Sequence, residues 1–347
     1  MKLPPGDPLG THRVIEPAGA LPQPAERLDN DLSKHYASEI IVDVRTLNID
    51  AASFRQMEEA SGGDLDGVAT LVMATVQRRG KQHNPVTGSG GMLLGVVDTV
   101  GDLAAHRGFV PGDQVATLIS LSLTPLWLDR ITAVRPASAQ LDVVGKAAVF
   151  LSAPLARMPG DMPERLALAL LDVAGAVPQV ARMCGPGDTV VVLGAGGKSG
   201  MLCAAEARRR VGREGRVFGV ENFAEYAAEL SSLAICDQVF VLDARNPLAV
   251  KEAISHVTNG GGADLVLSCV NAPGVELAAI LAARDRGKVY YFAMSTSFTA
   301  AALGAEGMGR DVDLYIGNGY AHDHAEHTLS LVRSHQGLRD IMTRRYA

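Results

Sequence analysis

Residues 190–202 read VVVLGAGGKSGML. The four apolar residues at the start predict a buried strand, the glycines a tight turn, and KSGMLCAAEARRRVG (198–212) a helix. A strand that turns through glycines into a helix is an arrangement that receives phosphate. The backbone can approach closely, and the helix N-terminus offers unpaired N–H groups and the positive end of its dipole. Gly194, Gly197 and Gly200 have the spacing G-x-x-G-x-x-G, with Gly196 in addition, and Lys198 and Ser199 add a charge and a hydroxyl. A mononucleotide P-loop is excluded, because there Lys-Ser follows the closing glycine, whereas here the pair precedes Gly200. The competing reading is a purely structural glycine turn.

The residues downstream favour a dinucleotide. RVFGVE (216–221), QVFVLD (238–243), ADLVLSCV (263–270) and GKVYYFA (287–293) read as strands. They alternate with helical patterns at 224–234, 247–258 and 273–283. With the opening strand this makes five, the grammar of a doubly wound parallel sheet whose first crossover carries the glycine turn. The second strand ends at Glu221, 27 residues after Gly194, with Asn222 beside it. A carboxylate at that place holds the adenosine ribose hydroxyls and repels a 2′-phosphate, so NAD is the expected cofactor. Lys198 and Arg245 are the cations through which a phosphate would be tolerated, which keeps NADP open as a second cofactor. Capping of the next helix is the other reading of Glu221.

The first 150 residues follow different rules. EIIVDVRTLNI (39–49), GMLLGVVDTVG (91–101) and DQVATLISLSL (113–123) are strand-like and separated by turn residues such as PGD at 111–113, which predicts a compact β-rich unit. Residues 160–183 are helical in pattern, with Pro178 marking a break. HAEHTLSLVRSHQGLRDIM (324–342) reads as a last helix packed back on the first unit. The expected division is a β-rich domain over 1–155, joined by 315–347, and a dinucleotide-binding domain over 156–314.

Composition narrows the class. A chain of 347 residues with 47% hydrophobic and 20% charged residues is globular and exceeds one ordinary core. A net charge of −6 is no footprint for nucleic acid. No apolar run approaches the roughly 18–20 residues that span a bilayer, and MKLPPGDPLGTHRV has no apolar signal region, so neither membrane association nor export is expected. Cys184, Cys203, Cys236 and Cys269 fit neither a disulfide framework nor a CxxC site, which points to a reducing cytoplasm.

A β-rich half followed by this sheet resembles the medium-chain dehydrogenase/reductase family. VRTLNIDAASF (44–54), VTGSGGMLLGVVDTVG (86–101), FVPGDQV (109–115), GADLVLSCV and RGKVYYFAM carry the resemblance along most of the chain. It implies an α/β fold with an N-terminal GroES-like catalytic domain and a Rossmann domain. The zinc-dependent branch needs cysteines in the N-terminal half, and none precedes Cys184, so no metal is expected and side-chain acids and bases must serve. Within the family, GTHRVIEP (10–17), LPQPA (21–25), HNPVTGSGGMLLG (83–95) and GAGGKSGML (194–202) resemble the L-erythro-3,5-diaminohexanoate dehydrogenases. That resemblance implies NAD-dependent oxidative deamination of a small diamino acid in lysine fermentation, and a homodimer paired through Rossmann edge strands.

Such chemistry requires a base for the amine and for water, a cation for the carboxylate and an acceptor for the second ammonium. Asp50, on the turn after the early strand, is the candidate base; its other reading is the N-cap of the AASFRQMEEA helix. His83 is a candidate proton shuttle or an ordinary loop histidine. His12 and Arg13 are candidates for the carboxylate or members of a structural arm. Glu59, with Glu58, is a candidate for the second ammonium or part of a solvated face, and Arg45 is expected to face outward. HDHAEH (322–327) reads as a polar helix start sooner than a metal site. Two other functions stay open: a zinc-independent quinone or enoyl reductase, and a non-catalytic NAD(H)-binding sensor.

Overall fold

The computed structural model describes residues 3–85 and 88–347. Two compact units divide the chain, Met1–Asp172 with Arg345–Ala347, and Val173–Arg344.

The first unit contains β1 (Val14–Glu16), β2 (Arg27–Leu28), β3 (Glu39–Asn48), α1 (Ala51–Ala60), α2 (Leu65–Arg79), β4 (Met92–Val100), β5 (Gln114–Thr117), β6 (Leu126–Arg135), β7 (Gln140–Phe150), β8 (Leu155–Arg157) and α3 (Glu164–Leu171). Six of these strands form an antiparallel sheet in the order β6-β7-β3-β4-β5-β8. Alternation along β3 sends Val42, Val44 and Leu47 into a core shared with Val68, Val72 and Val76 of α2, while Asp43 and Arg45 face outward, as expected for Arg45.

The second unit contains α4 (Ala176–Met183), β9 (Thr189–Leu193), α5 (Lys198–Val211), β10 (Arg216–Glu221), α6 (Ala224–Ser232), β11 (Gln238–Val241), α7 (Pro247–Val257), β12 (Ala263–Ser268), α8 (Glu276–Ala282), β13 (Ala283–Tyr291), α9 (Phe298–Gly307), β14 (Asp313–Ile316), α10 (His324–Ser334) and α11 (Gln336–Tyr346). Its sheet is parallel with the order β11-β10-β9-β12-β13-β14. The order reverses between β9 and β12, the place where open α/β sheets bind ligands beyond the carboxyl ends of the strands.

Three differences from the sequence reading have physical causes. The helical break lies at 172–175, and Pro178 sits in the first turn of α4, where no intrahelical bond is lost. The unit boundary therefore falls after α3 instead of near 155. A sixth parallel strand, β14, continues the sheet. Up to Arg344 the C-terminal segment belongs with the second unit and only Arg345–Ala347 with the first: α10 packs on α4 and α5, Thr328 Oγ1 donates to Ala174 O at 3.0 Å, and Arg344 pairs with Glu229. Among the described residues no single helix is long and apolar enough to cross a membrane.

Candidate active site

In the second unit the glycine turn joins β9 to α5. Gly194 has φ +70°, a conformation that L side chains rarely adopt, and a Cβ on Gly200 would lie 2.1 Å from Gly194 O. Glycine at those two positions lets α5 start hard against β9, with Lys198 and Ser199 as its first two residues. A Cβ on Gly196 would fall 2.9 Å from Glu221 Oε2. The buried Glu221 carboxylate accepts from Gly196 N–H at 2.9 Å through Oε2, and from Asn222 and Phe223 N–H at 2.8 and 3.1 Å through Oε1. A carboxylate has about four acceptor sites, and three are engaged here. The capping reading of Glu221 is the one observed, because the bonds to Asn222 and Phe223 secure the start of α6. Asn222 itself is exposed. Arg245 is forked onto Asp243 at 2.6–3.1 Å, so its charge is already matched within its own loop.

At the same carboxyl edge, the hydroxyls of Ser268, the last residue of β12, and Thr296, in the loop after β13, are buried and have no hydrogen-bond partner in the protein. Ser295 Oγ donates to Val270 O at 3.2 Å and holds those two loops together. A glycine cradle, a fixed carboxylate and two orphan hydroxyls at the switch point fit a nicotinamide dinucleotide. Gly194, Gly196, Gly197, Gly200, Lys198, Ser199 and Glu221 are the residues placed to hold it.

In the first unit, α1 begins where β3 ends. Asp50 is its N-cap (φ −61°, ψ 146°), and Oδ1 accepts from Ser53 N–H at 2.9 Å. The other oxygen, Oδ2, is buried with no partner. The cap reading of Asp50 is observed at Oδ1, and Oδ2 is the oxygen that a base would use. α2 ends at Gly80, and the chain then runs through Lys81, Gln82, His83 and Asn84, three of which are buried. Asn84 Nδ2 donates to Gln56 Oε1 on α1 at 3.0 Å, which ties this loop to the helix that Asp50 caps. His83 is half-buried, and its Nδ1 has no partner. Burial, with Lys81 and Arg79 adding like charge, holds its pKa below the ordinary imidazole value, so the ring is neutral near pH 7.

Lys81 has no exposed surface and donates to Pro22 O and Gln23 O at 2.8 and 2.9 Å, which anchors the LPQPA segment. Burial, then Arg79, pushes its ammonium down to about 8. Its signal in the sequence was slight: a lysine in a polar run looks solvated until the fold covers it. Asn48 and Gln140 are equally hidden, joined at 3.1 Å, with Gln140 Oε1 accepting from Arg165 at 3.3 Å.

Other expected residues lie elsewhere. Arg13 is fully buried and forked onto Glu39 at 2.8 and 2.7 Å, and its remaining donors go to the carbonyls of Asp29, Asp31 and Lys34. His12 accepts from Asp7 N–H at 2.9 Å through Nδ1, so Nε2 carries the proton and meets Glu39 at 2.8 Å. These two residues brace the N-terminal arm and have nothing left for a substrate carboxylate, which corrects their assignment. Glu59 is exposed and paired with Arg55 at 3.3 Å, on the solvated face of α1, so its assignment to the second ammonium is corrected too.

The histidines of HDHAEH diverge. His322 pairs with Asp323 at 2.8 Å, His324 Nδ1 meets Ala321 O at 2.6 Å, and His327 reaches Glu206 at 3.2 Å. The cysteines are free; burial pushes the Cys184 and Cys236 thiols up to about 12, and Cys203 Sγ touches Cys269 Sγ at 3.9 Å.

Comparison with known proteins gives the family. The model of the L-erythro-3,5-diaminohexanoate dehydrogenase N-terminal domain matches residues 12–159. A protein from Acetoanaerobium sticklandii named L-erythro-3,5-diaminohexanoate dehydrogenase is 47% identical over 98% of this chain and 99% of its own. The chain belongs to the L-erythro-3,5-diaminohexanoate dehydrogenase family. A second member, from Fusobacterium nucleatum subsp. nucleatum, is 46% identical over the same shares. Membership makes the chain an oxidoreductase. Two solved structures, at 17% and 15% identity, share only the fold. CurK enoyl reductase covers 88% of this chain and 78% of its own with a TM-score of 0.53, and a mycobacterial protein complexed with NADPH covers 89% and 90% with 0.55.

Proposed function

We propose that the chain catalyses the NAD-dependent oxidative deamination of L-erythro-3,5-diaminohexanoate to 5-amino-3-oxohexanoate in lysine fermentation. The similarity to two dehydrogenases of that name over 98% of the chain carries this reading. The reaction takes the protonated amine, NAD⁺ and water to the ketone, ammonium, NADH and a proton. Bound NAD supplies the hydride acceptor. Glu221 favours NAD over NADP, because its anion is fixed at the ribose position and Arg245 is already neutralised by Asp243.

The chain's own groups supply the proton handling. The C3 amine must be neutral before its carbon gives up hydride, and Asp50 Oδ2, unpartnered and shielded from water, takes that proton. Oδ1 stays on Ser53 N–H, so the carboxylate keeps its aim while it works. Neutral His83 accepts through Nδ1 and handles the proton of the water that attacks the imine carbon; collapse of that adduct breaks the C–N bond and releases ammonia. The neutral ring matters, since an imidazolium has no lone pair with which to accept.

Incubation of the purified chain with NAD and 3,5-diaminohexanoate tests this. NADH formation is expected, with no NADPH oxidation by quinones. Quinone turnover without deamination would move the chain to the reductase alternative, and NADH binding without any turnover to the sensor. We also propose a cytoplasmic homodimer paired through β14, where Ile316 is 61% exposed on an edge strand. Light scattering that finds a monomer would remove the dimer.

A further inference from the structure

We infer that Gln82 seats the second ammonium of the substrate and so sets the preference for a diamino acid over a monoamino acid. This rests on the deamination reading above. Three buried polar atoms without a partner belong to two neighbouring segments of the first unit: Asp50 Oδ2, Gln82 Oε1 and His83 Nδ1. Two consecutive glycines show how close the segments lie. A Cβ on Gly90 would stand 2.3 Å from Gln82 O, and one on Gly91 would stand 2.1 Å from Asn48 O and 2.8 Å from Ile49 Cα. The backbone of Gln82 and the turn that carries Asp50 are therefore packed on adjacent residues.

A carboxylate oxygen and an amide oxygen only accept hydrogen bonds, and a neutral imidazole accepts through one nitrogen. What the three atoms lack is a donor. An ammonium brings three N–H groups.

The two amino groups of the substrate need different hosts. The one that leaves must lose its proton, so it belongs beside a base, Asp50 or His83. The other stays protonated throughout and needs only an acceptor. An amide oxygen is such an acceptor. Gln82 is 2% exposed, so its oxygen has no water to fall back on when the ammonium is missing. The neighbouring cation, Lys81, is turned onto the carbonyls of Pro22 and Gln23, and Glu59 faces solvent.

The test compares kcat/KM for 3,5-diaminohexanoate and 3-aminohexanoate, which lacks the second amine, in wild type, Gln82→Met and Gln82→Glu. A hydrogen bond to a charged group corresponds to roughly a 10- to 100-fold effect. Gln82→Met is expected to lower the diamino rate by that factor and leave 3-aminohexanoate unchanged. Gln82→Glu keeps an acceptor oxygen and is expected to retain the preference, and it decides the matter if the Met variant does not fold. Equal losses on both acids, or a preference that survives in Gln82→Met, would overturn the assignment; so would loss of the preference in Gln82→Glu. If wild type forms no NADH from 3,5-diaminohexanoate, the deamination reading fails. Calorimetric binding of the two acids to wild type and Gln82→Met then decides the seat: a diamino preference lost in the variant supports it, and one absent from wild type or kept in the variant overturns it.

Discussion

Replacing Asp50 by Asn separates the two jobs of one carboxylate. Oδ1 caps α1 by accepting from Ser53 N–H at 2.9 Å, while Oδ2 is the unpartnered oxygen assigned to the amine proton. Asn caps a helix about as well as Asp, so the cap survives and stability should change by no more than a few tenths of a kcal/mol. Basicity does not survive. General base catalysis contributes about 10²–10⁴ in rate, which at about 1.4 kcal/mol per tenfold is roughly 3–5.5 kcal/mol of barrier. Asp50→Ala is the control. It loses the base as well as the cap, costing a further 0.5–2 kcal/mol or so of stability, or several degrees in Tm at about 2–4 °C per kcal/mol for a unit of this size. Stopped-flow NADH formation under saturating substrate, with a thermal melt of each variant, gives both quantities. Asp50→Asn that melts with wild type and reacts at least about a hundredfold slower supports the base. Turnover within a few-fold of wild type would refute it and leave Asp50 as a cap alone.

Three further outcomes follow from the described geometry. Glu221→Ser removes the anion at the ribose position, so the ratio of kcat/KM for NAD over NADP should fall by at least about tenfold, the equivalent of one charge-assisted hydrogen bond; an unchanged ratio would separate Glu221 from cofactor choice. Arg13→Met strands the buried Glu39 carboxylate and should cost about 3–5 kcal/mol of stability with KM unchanged, whereas a raised KM in a stable protein would return Arg13 to the substrate. His83 and His324 are both held below the ordinary imidazole value of 6.5, chiefly by burial, so the unfolded chain protonates first as pH falls. Their contribution to stability is full above about 6.5 and lost below it; a Tm that stays flat or rises from pH 7 to 5.5 would contradict this.

How much was legible follows from the range of the interactions involved. The parallel sheet was readable because strands buried on both faces appear as apolar runs, and VVVLG and ADLVLS need no partner to be recognised. β14 was not, since DLYI is short and mostly exposed at the sheet edge. The glycine turn before α5 and the place of Glu221 at the end of β10 were readable from spacing alone. His12 and Arg13 were misread because their partner, Glu39, lies 26 or 27 residues away and only the fold brings it near. α10 was misplaced for the same reason, its contacts being with α4 and α5. Asp50 looked like two rival hypotheses because a sequence does not resolve the two oxygens of a carboxylate. Gln82 and Lys81 were hidden in a polar run whose burial depends on Gly80, Gly90 and the LPQPA arm packing around it.

The most direct test of the central claim is the stoichiometry of one reaction: purified chain, NAD and 3,5-diaminohexanoate, with NADH and free ammonia measured in the same sample. Oxidative deamination requires equal amounts of the two, rising together and stopping when the substrate is consumed. NADH without ammonia would mean that a C–H bond is oxidised with the amine retained, and would contradict the assignment of Asp50 and His83 to amine and water.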